Sequence, residues 1–159
     1  MIAALTLLSA CGFQPVYGTR DDGARVSNEL AAVQVALIAD RSGQILRNYL
    51  LDGLTPQGQP AQPRYVLSVQ LQEPSRELTL RRDDTPTRIG YAIIARYQLR
   101  DGAGQLLLSN ATALDSDYEI TSSEFATLSS RLDARDRLLQ QMSEDIRLQL
   151  AAYFRERRG

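Results

Sequence analysis

The chain has no histidine, no lysine and no tryptophan, and one cysteine in 159 residues. Without histidine there is no imidazole general base, no serine–histidine–aspartate triad and no histidine metal ligand. A single cysteine closes no internal disulfide and builds no cysteine-rich metal site. No apolar run approaches the roughly 20 residues that span a bilayer. Glycine-rich phosphate loops, zinc motifs and serine-nucleophile elbows are missing as well. The adjacent carboxylates Asp21-Asp22 and Asp83-Asp84 sit in polar surroundings and read as solvated turns rather than as an acid–base pair. These absences point away from an enzyme and imply no cofactor and no metal. The net charge of −1 provides no overall attraction to nucleic acid. All 18 basic residues are arginine, a compositional bias that is not a binding signal by itself.

What is present begins at the N-terminus. A short apolar run from Ile2 to Leu8 leads into Ser9-Ala10-Cys11-Gly12. Small residues before a cysteine, after an apolar segment, mark a processing site rather than a piece of fold. Leu8-Ser9-Ala10-Cys11 resembles the lipobox of bacterial lipoproteins. The resemblance implies a signal peptide over residues 1–10, cleavage before Cys11, and lipidation of that cysteine on its sulfur and its new amine. No basic residue precedes Arg20, so the signal peptide is expected to be truncated at its start. Gly12 follows the cysteine where an aspartate would imply inner-membrane retention, so the implied destination is the periplasmic side of the outer membrane.

With 43% hydrophobic and 23% charged residues, the rest of the chain fits one globular domain of ordinary size. Residues 11–32, with a polar stretch from Arg20 to Arg25, read as a lipidated N-terminus and tether, and residues 33–159 as the domain. Val33, Val35 and Leu37 alternate as a short strand. Ile45, Leu46, Tyr49 and Leu50 recur at helical spacing within Gln44–Asp52, and Gly53 reads as the stop. Tyr65 to Leu71 alternates as a strand, and Pro74 forces any continuation through Leu78 and Leu80 to bend or lie at an edge. Tyr91 to Leu99 is a third strand. Asp101-Gly102-Ala103-Gly104 is a tight turn into a return strand from Leu106 towards Tyr118, so these two strands pair antiparallel. Thr121 and Glu124 fit a capping box. From Phe125 through Leu128, Leu132, Leu139, Met142, Ile146 and Leu150 to Tyr153, an apolar stripe predicts one amphipathic helix of roughly 30 or more residues. This stripe reads as core.

The order strand, helix, three strands, helix predicts an α+β fold with two helices packed on one face of a mixed four-stranded sheet. The other face, lined by Ser68, Gln70, Gln72, Arg96 and Gln98, is expected to be polar and to meet water or a partner with a polar interior.

Cys11-Gly12-Phe13-Gln14-Pro15-Val16-Tyr17-Gly18 resembles the mature N-terminus of the LPS-assembly lipoproteins, the LptE family. The Ile45-Leu46-Arg47-Asn48 helix, the Tyr65–Leu71 and Tyr91–Leu99 strands and the long C-terminal helix follow in that family's order. The resemblance implies a partner, the large outer-membrane β-barrel LptD, and a role as its plug and assembly aid, with lipopolysaccharide as a ligand. It also implies membrane attachment through the N-terminal lipid and no catalytic activity.

Guanidinium forks match phosphate oxygens, which makes Arg81, Arg82 and Arg88, flanking a turn between strands, the candidates for touching lipopolysaccharide. The family does not fix these residues. The competing reading is a solvated hairpin tip neutralised by Asp83 and Asp84. Two other functions compete with the plug: a lipid-anchored periplasmic auxiliary subunit of a lipid or solute transporter, and a lipid-anchored hydrolase. The missing histidine weighs against the hydrolase.

Overall fold

The computed structural model describes residues 20–80 and 86–157. Three helices, α1 (Arg20–Ala31), α2 (Asp40–Leu54) and α3 (Glu124–Glu156), accompany five strand segments. These are β1 (Val33–Val35), β2 (Tyr65–Gln72), β3 (Ser75–Leu80), β4 (Pro86–Asp101) and β5 (Leu106–Glu119).

β2 and β3 occupy one position in the sheet. β2 pairs with β4 from Tyr65↔Asp101 to Gln72↔Ile94, and β3 resumes in the same register at Ser75↔Tyr91. Between them the Pro74 carbonyl accepts a hydrogen bond from the Ala92 amide at 3.0 Å. Pro74 has no N–H to give the ladder, so it interrupts the strand without shifting it. The sheet is therefore four strands wide: β1 parallel to β2, then β2/β3, β4 and β5 antiparallel in turn. The mixed α+β architecture expected from the sequence holds, with a third helix added.

That third helix is α1. The polar stretch expected to act as a tether is its first half, because Val26 and Leu30, one turn apart, enter the core. Helix α2 begins earlier and ends later than its apolar spacing suggested. Gly53 does not stop it, and Thr55 does, through its amide and its hydroxyl, both donated to the Leu51 carbonyl. Asp40 enters α2 with φ 65°, a left-handed conformation that aspartate tolerates better than most residues. The helix's first turn folds tightly onto Ile38, and a Cβ on Gly43 would lie 2.7 Å from the Ile38 side chain and 2.9 Å from its carbonyl carbon. β1 stops at Val35, and Leu37 is exposed.

The β4–β5 turn is as expected. Asp101 Oδ1 accepts from the Ala103 and Gln105 amides, and Gly104 supplies φ 84°. Helix α3 starts after Ser123, not after Thr121: Ser123 is extended and its hydroxyl accepts from the Ala126 amide. Thr121 is instead tied to Thr127, whose hydroxyl accepts from the Thr121 amide at 3.0 Å.

The core lies between one sheet face and the helices. Leu67, Val69, Tyr91, Ile93, Ala95, Tyr97 and Leu99 meet Leu46 and Leu50 of α2 and Leu139, Met142, Ile146 and Leu150 of α3. On the opposite face Ser68, Gln70, Gln72, Arg96 and Gln98 are all exposed, as their alternation with the buried set requires.

Candidate functional site

The two ends of the sheet are finished differently. At the end carrying the Asp101–Gln105 turn, α1, the C-terminal end of α3 and the start of β2 close over the core. At the other, distal end, β3 passes into β4, β5 ends at Glu119, and α3 begins.

The difference is one of helix length. Helix α3 has 33 residues and α2 only 15, about 50 Å against about 22 Å at 1.5 Å per residue. Tyr49 of α2 donates to both Asp136 carboxylate oxygens, and Gly53 of α2 lies against the Arg147 side chain. These contacts place α2 beside the C-terminal two-thirds of α3. The first turns of α3 project past it.

There the apolar stripe comes out of the core. Phe125 is 82% exposed, Leu128 52% and Leu132 42%, whereas Leu139, Met142, Ile146 and Leu150 on the same helix are fully buried. The expectation that the whole stripe is core is therefore corrected. The residues continue one face of α3, but α2, which runs alongside in the same direction, is too short to cover them. An exposed cluster of this kind, on a surface otherwise well provided with polar residues, marks an interaction site.

Beneath this part of α3 sits a polar pair. The hydroxyl of the buried Tyr91 donates a hydrogen bond to Glu73. Burial first, then that bond and the charge of Glu73, push the Tyr91 phenol well above its ordinary value. The positive charges of Arg135 and Arg131 on α3 act in the opposite direction. Glu73 stands beside Pro74 at the strand break, so the interruption places a carboxylate over the tyrosine that follows it across the sheet.

Of the residues singled out from the sequence, Arg88 lies near the start of β4 at this distal end. It pairs in register with Glu119 and forms an ion pair with Asp117, on the same strand and the same polar face as Glu119. Arg81 and Arg82 lie outside the described residues, as does Cys11. Phe125, Leu128 and Leu132 had been assigned to the core by periodicity, which does not distinguish a covered stripe from a bare one. A signal was present: a helix of about three turns cannot cover one of roughly 30 residues. The Glu73–Tyr91 pair had no sequence signal beyond the proline beside it.

The remaining features are modest. A shallow groove of about 430 Å³ runs along the polar sheet face between Ser68, Gln70, Arg96, Gln98 and Ser109. Among the described residues no cluster of carboxylates and thiols is arranged to hold a metal ion, and no helix is long and apolar enough to cross a membrane.

A family model described as LptE, lipopolysaccharide-assembly, matches residues 30–150. The chain belongs to the LptE family. This family consists of non-enzymatic envelope lipoproteins with a role in lipopolysaccharide assembly. No curated protein matches the chain. Solved structures share the fold. A lipoprotein from Caulobacter crescentus superposes with a TM-score of 0.68 at 20% identity, covering 82% of this chain and 96% of its own. A minor lipoprotein from Acinetobacter baumannii gives 0.60 at 16% identity, over 77% and 92%. The rare lipoprotein B from Shewanella oneidensis gives 0.59 at 9% identity, over 76% and 93%. The match extends over α2, all the strands and most of α3, so the bare start of α3 falls within the family's domain.

Proposed function

We propose that this chain is an outer-membrane lipoprotein, anchored at Cys11 on the periplasmic side, that assists assembly of the lipopolysaccharide-exporting β-barrel LptD and plugs its lumen. Membership of the LptE family supports the process. The observation that carries the plug reading is the layering of the domain. Among the described residues all helices cover one sheet face, and the other face is polar and broad. A surface of serine, glutamine and arginine side chains suits a hydrated barrel interior, where an apolar face would stay in contact with water at a cost.

In this reading the distal end meets the partner. Phe125, Leu128 and Leu132 provide apolar contact area on a rigid helix, and Arg81, Arg82 and Arg88 offer guanidiniums to the phosphates of passing lipopolysaccharide. Arg88 is held by Asp117, so its contribution requires exchange of that carboxylate for a phosphate; Arg81 and Arg82 are the principal candidates. Attachment by a single acyl chain is marginal, and lipidation on both the sulfur and the amine of Cys11 provides more than the minimum for a stable anchor.

Affinity purification of the tagged, lipidated chain from detergent-solubilised outer membranes tests the proposal. Recovery of a stoichiometric large β-barrel is the expected result. Recovery of the lipoprotein at normal abundance, lipidated but without a barrel, contradicts it and favours the transporter-auxiliary alternative.

A further inference from the structure

At the end of the domain opposite the bare helix, α1, the C-terminal end of α3 and the start of β2 line an open cavity of about 360 Å³. Three guanidiniums line it, those of Arg25, Arg64 and Arg157, against the two carboxylates of Glu29 and Asp101. The aromatic rings of Tyr65 and Phe154, 5.0 Å apart between centroids, form its apolar wall.

The charges do not cancel in pairs. Glu29 is fully engaged: Arg64 approaches both its oxygens, at 3.1 and 3.3 Å, and the Tyr65 hydroxyl donates to it at 2.9 Å. Asp101 holds the β4–β5 turn through the Ala103 and Gln105 amides. Arg25 donates from Nη2 to the Phe154 carbonyl at 3.0 Å and has no carboxylate partner among the described residues. Arg157 lies over the Tyr153 ring and has no carboxylate partner among the described residues. Three arginines against two carboxylates leave the pocket one positive charge in excess, which favours an anion.

We infer that this cavity is a site for a phosphate-bearing anion, with Arg25 and Arg157 as its principal donors and the Tyr65–Phe154 wall shielding one side. The two arginines come from α1 and from the residue that caps α3, and arginine is the residue that binds phosphate oxygens in pairs. The position in the chain points to the source. Arg20, where α1 starts, is nine residues from Cys11, so a chain lipidated there holds α1 within about 30 Å of the membrane surface. The nearest abundant phosphates are then glycerophospholipid headgroups. This choice of source rests on the anchoring proposed above; the phosphate chemistry of the cavity does not.

The test is isothermal titration of the purified full-length chain, in non-ionic detergent, with three probes: dihexanoyl-phosphatidylglycerol, dihexanoyl-phosphatidylcholine and inorganic phosphate. The expected result is saturable binding of phosphatidylglycerol at least tenfold tighter than of phosphatidylcholine. The Arg25→Gln, Arg157→Gln double variant should lose at least tenfold in affinity. Because Arg25 also caps α3, the single Arg157→Gln variant serves as the second probe, and it should lose several-fold with an unchanged Tm. Saturable inorganic phosphate binding that the double variant abolishes, without any preference for the lipid, supports the site and assigns it to free phosphate. No saturable binding by either anion, or affinities equal in wild type and Arg157→Gln, overturns the inference. The readout needs no barrel, so failure of the plug reading and failure of this site are separate results.

Discussion

The two halves of α3 share one sequence pattern and have opposite fates. From Leu138 to Phe154 the residues of the stripe that face α2, the sheet and α1 (Leu139, Met142, Ile146 and Leu150 among them) are buried; from Phe125 to Leu132 the same stripe is exposed. Hydrophobic periodicity states which face of a helix is apolar. It does not state what lies opposite, and here the neighbour runs out after 15 residues. The comparison separates residues that build the domain from residues the domain holds out to something else. Mutations that distinguish them should divide cleanly between stability and association.

The largest effect is expected in the packed half. Leu139→Ala or Ile146→Ala empties a fully buried position and should cost about 2–5 kcal/mol, read as a lowered denaturation midpoint. Phe125→Ala, a larger truncation on the same helix, should change stability by less than about 0.5 kcal/mol because its ring is already in water. Equal losses at the two sites would erase the distinction.

A second expected loss lies where the shorter helix begins. Gly43→Ala drives a methyl into Ile38, partly against its backbone, and should destabilise by about 1–3 kcal/mol in chemical denaturation. An unchanged midpoint would mean that this turn of α2 has more room than its geometry shows.

A third prediction uses the Tyr91–Glu73 pair beneath the boundary between the halves. The Tyr91 phenol ionises near 10.0 in an unperturbed chain and higher in the fold. The folded state therefore favours the protonated phenol. That contribution is fully present below pH 10 and is lost as pH rises above it through the folded value. Unfolding free energy measured between pH 8 and pH 12 should fall at the alkaline end in the wild type and fall less steeply in Tyr91→Phe. Identical slopes would remove Tyr91 as a source of the alkaline loss.

A smaller loss than in the packed half belongs to the cap that starts the bare half. Ser123→Ala deletes the hydroxyl that receives the Ala126 amide and should cost about 1 kcal/mol. Hydrogen exchange should show faster opening confined to the first turns of α3, with the packed half unchanged. Uniform acceleration would mean that the two halves unfold together.

Much of this architecture was legible in the residues. Alternation at Tyr65–Leu71 and Tyr91–Leu99 sets the strand faces, the aspartate–glycine turn sets the pairing of β4 with β5, and Pro74 marks the interruption between β2 and β3. The turn works through the Asp101 side chain, a local interaction that sequence can display. What stayed hidden depended on distant partners. Helix α1 looked like a tether because only Val26 and Leu30 carry its packing, and their partners are over a hundred residues away on α3 and elsewhere in the core. Ser123 and Thr121 offer the same chemistry to a helix N-terminus, and the competition is decided by the bonds that Thr121 makes with Thr127. The exposure of Phe125 followed from the length of another helix, and the arginine cavity from the meeting of three elements far apart in sequence.

The most direct test of the division within α3 is thiol accessibility at its exposed end. A Phe125→Cys variant places a reactive side chain on the bare stripe, and the chain's one native cysteine is the proposed lipidation site. Modification by a water-soluble maleimide would be timed for the lipoprotein alone and for the lipoprotein isolated with the proposed β-barrel. The account predicts rapid modification alone and at least tenfold slower modification in the complex. Equal rates in the two states would contradict it and leave the exposed stripe without a role in association.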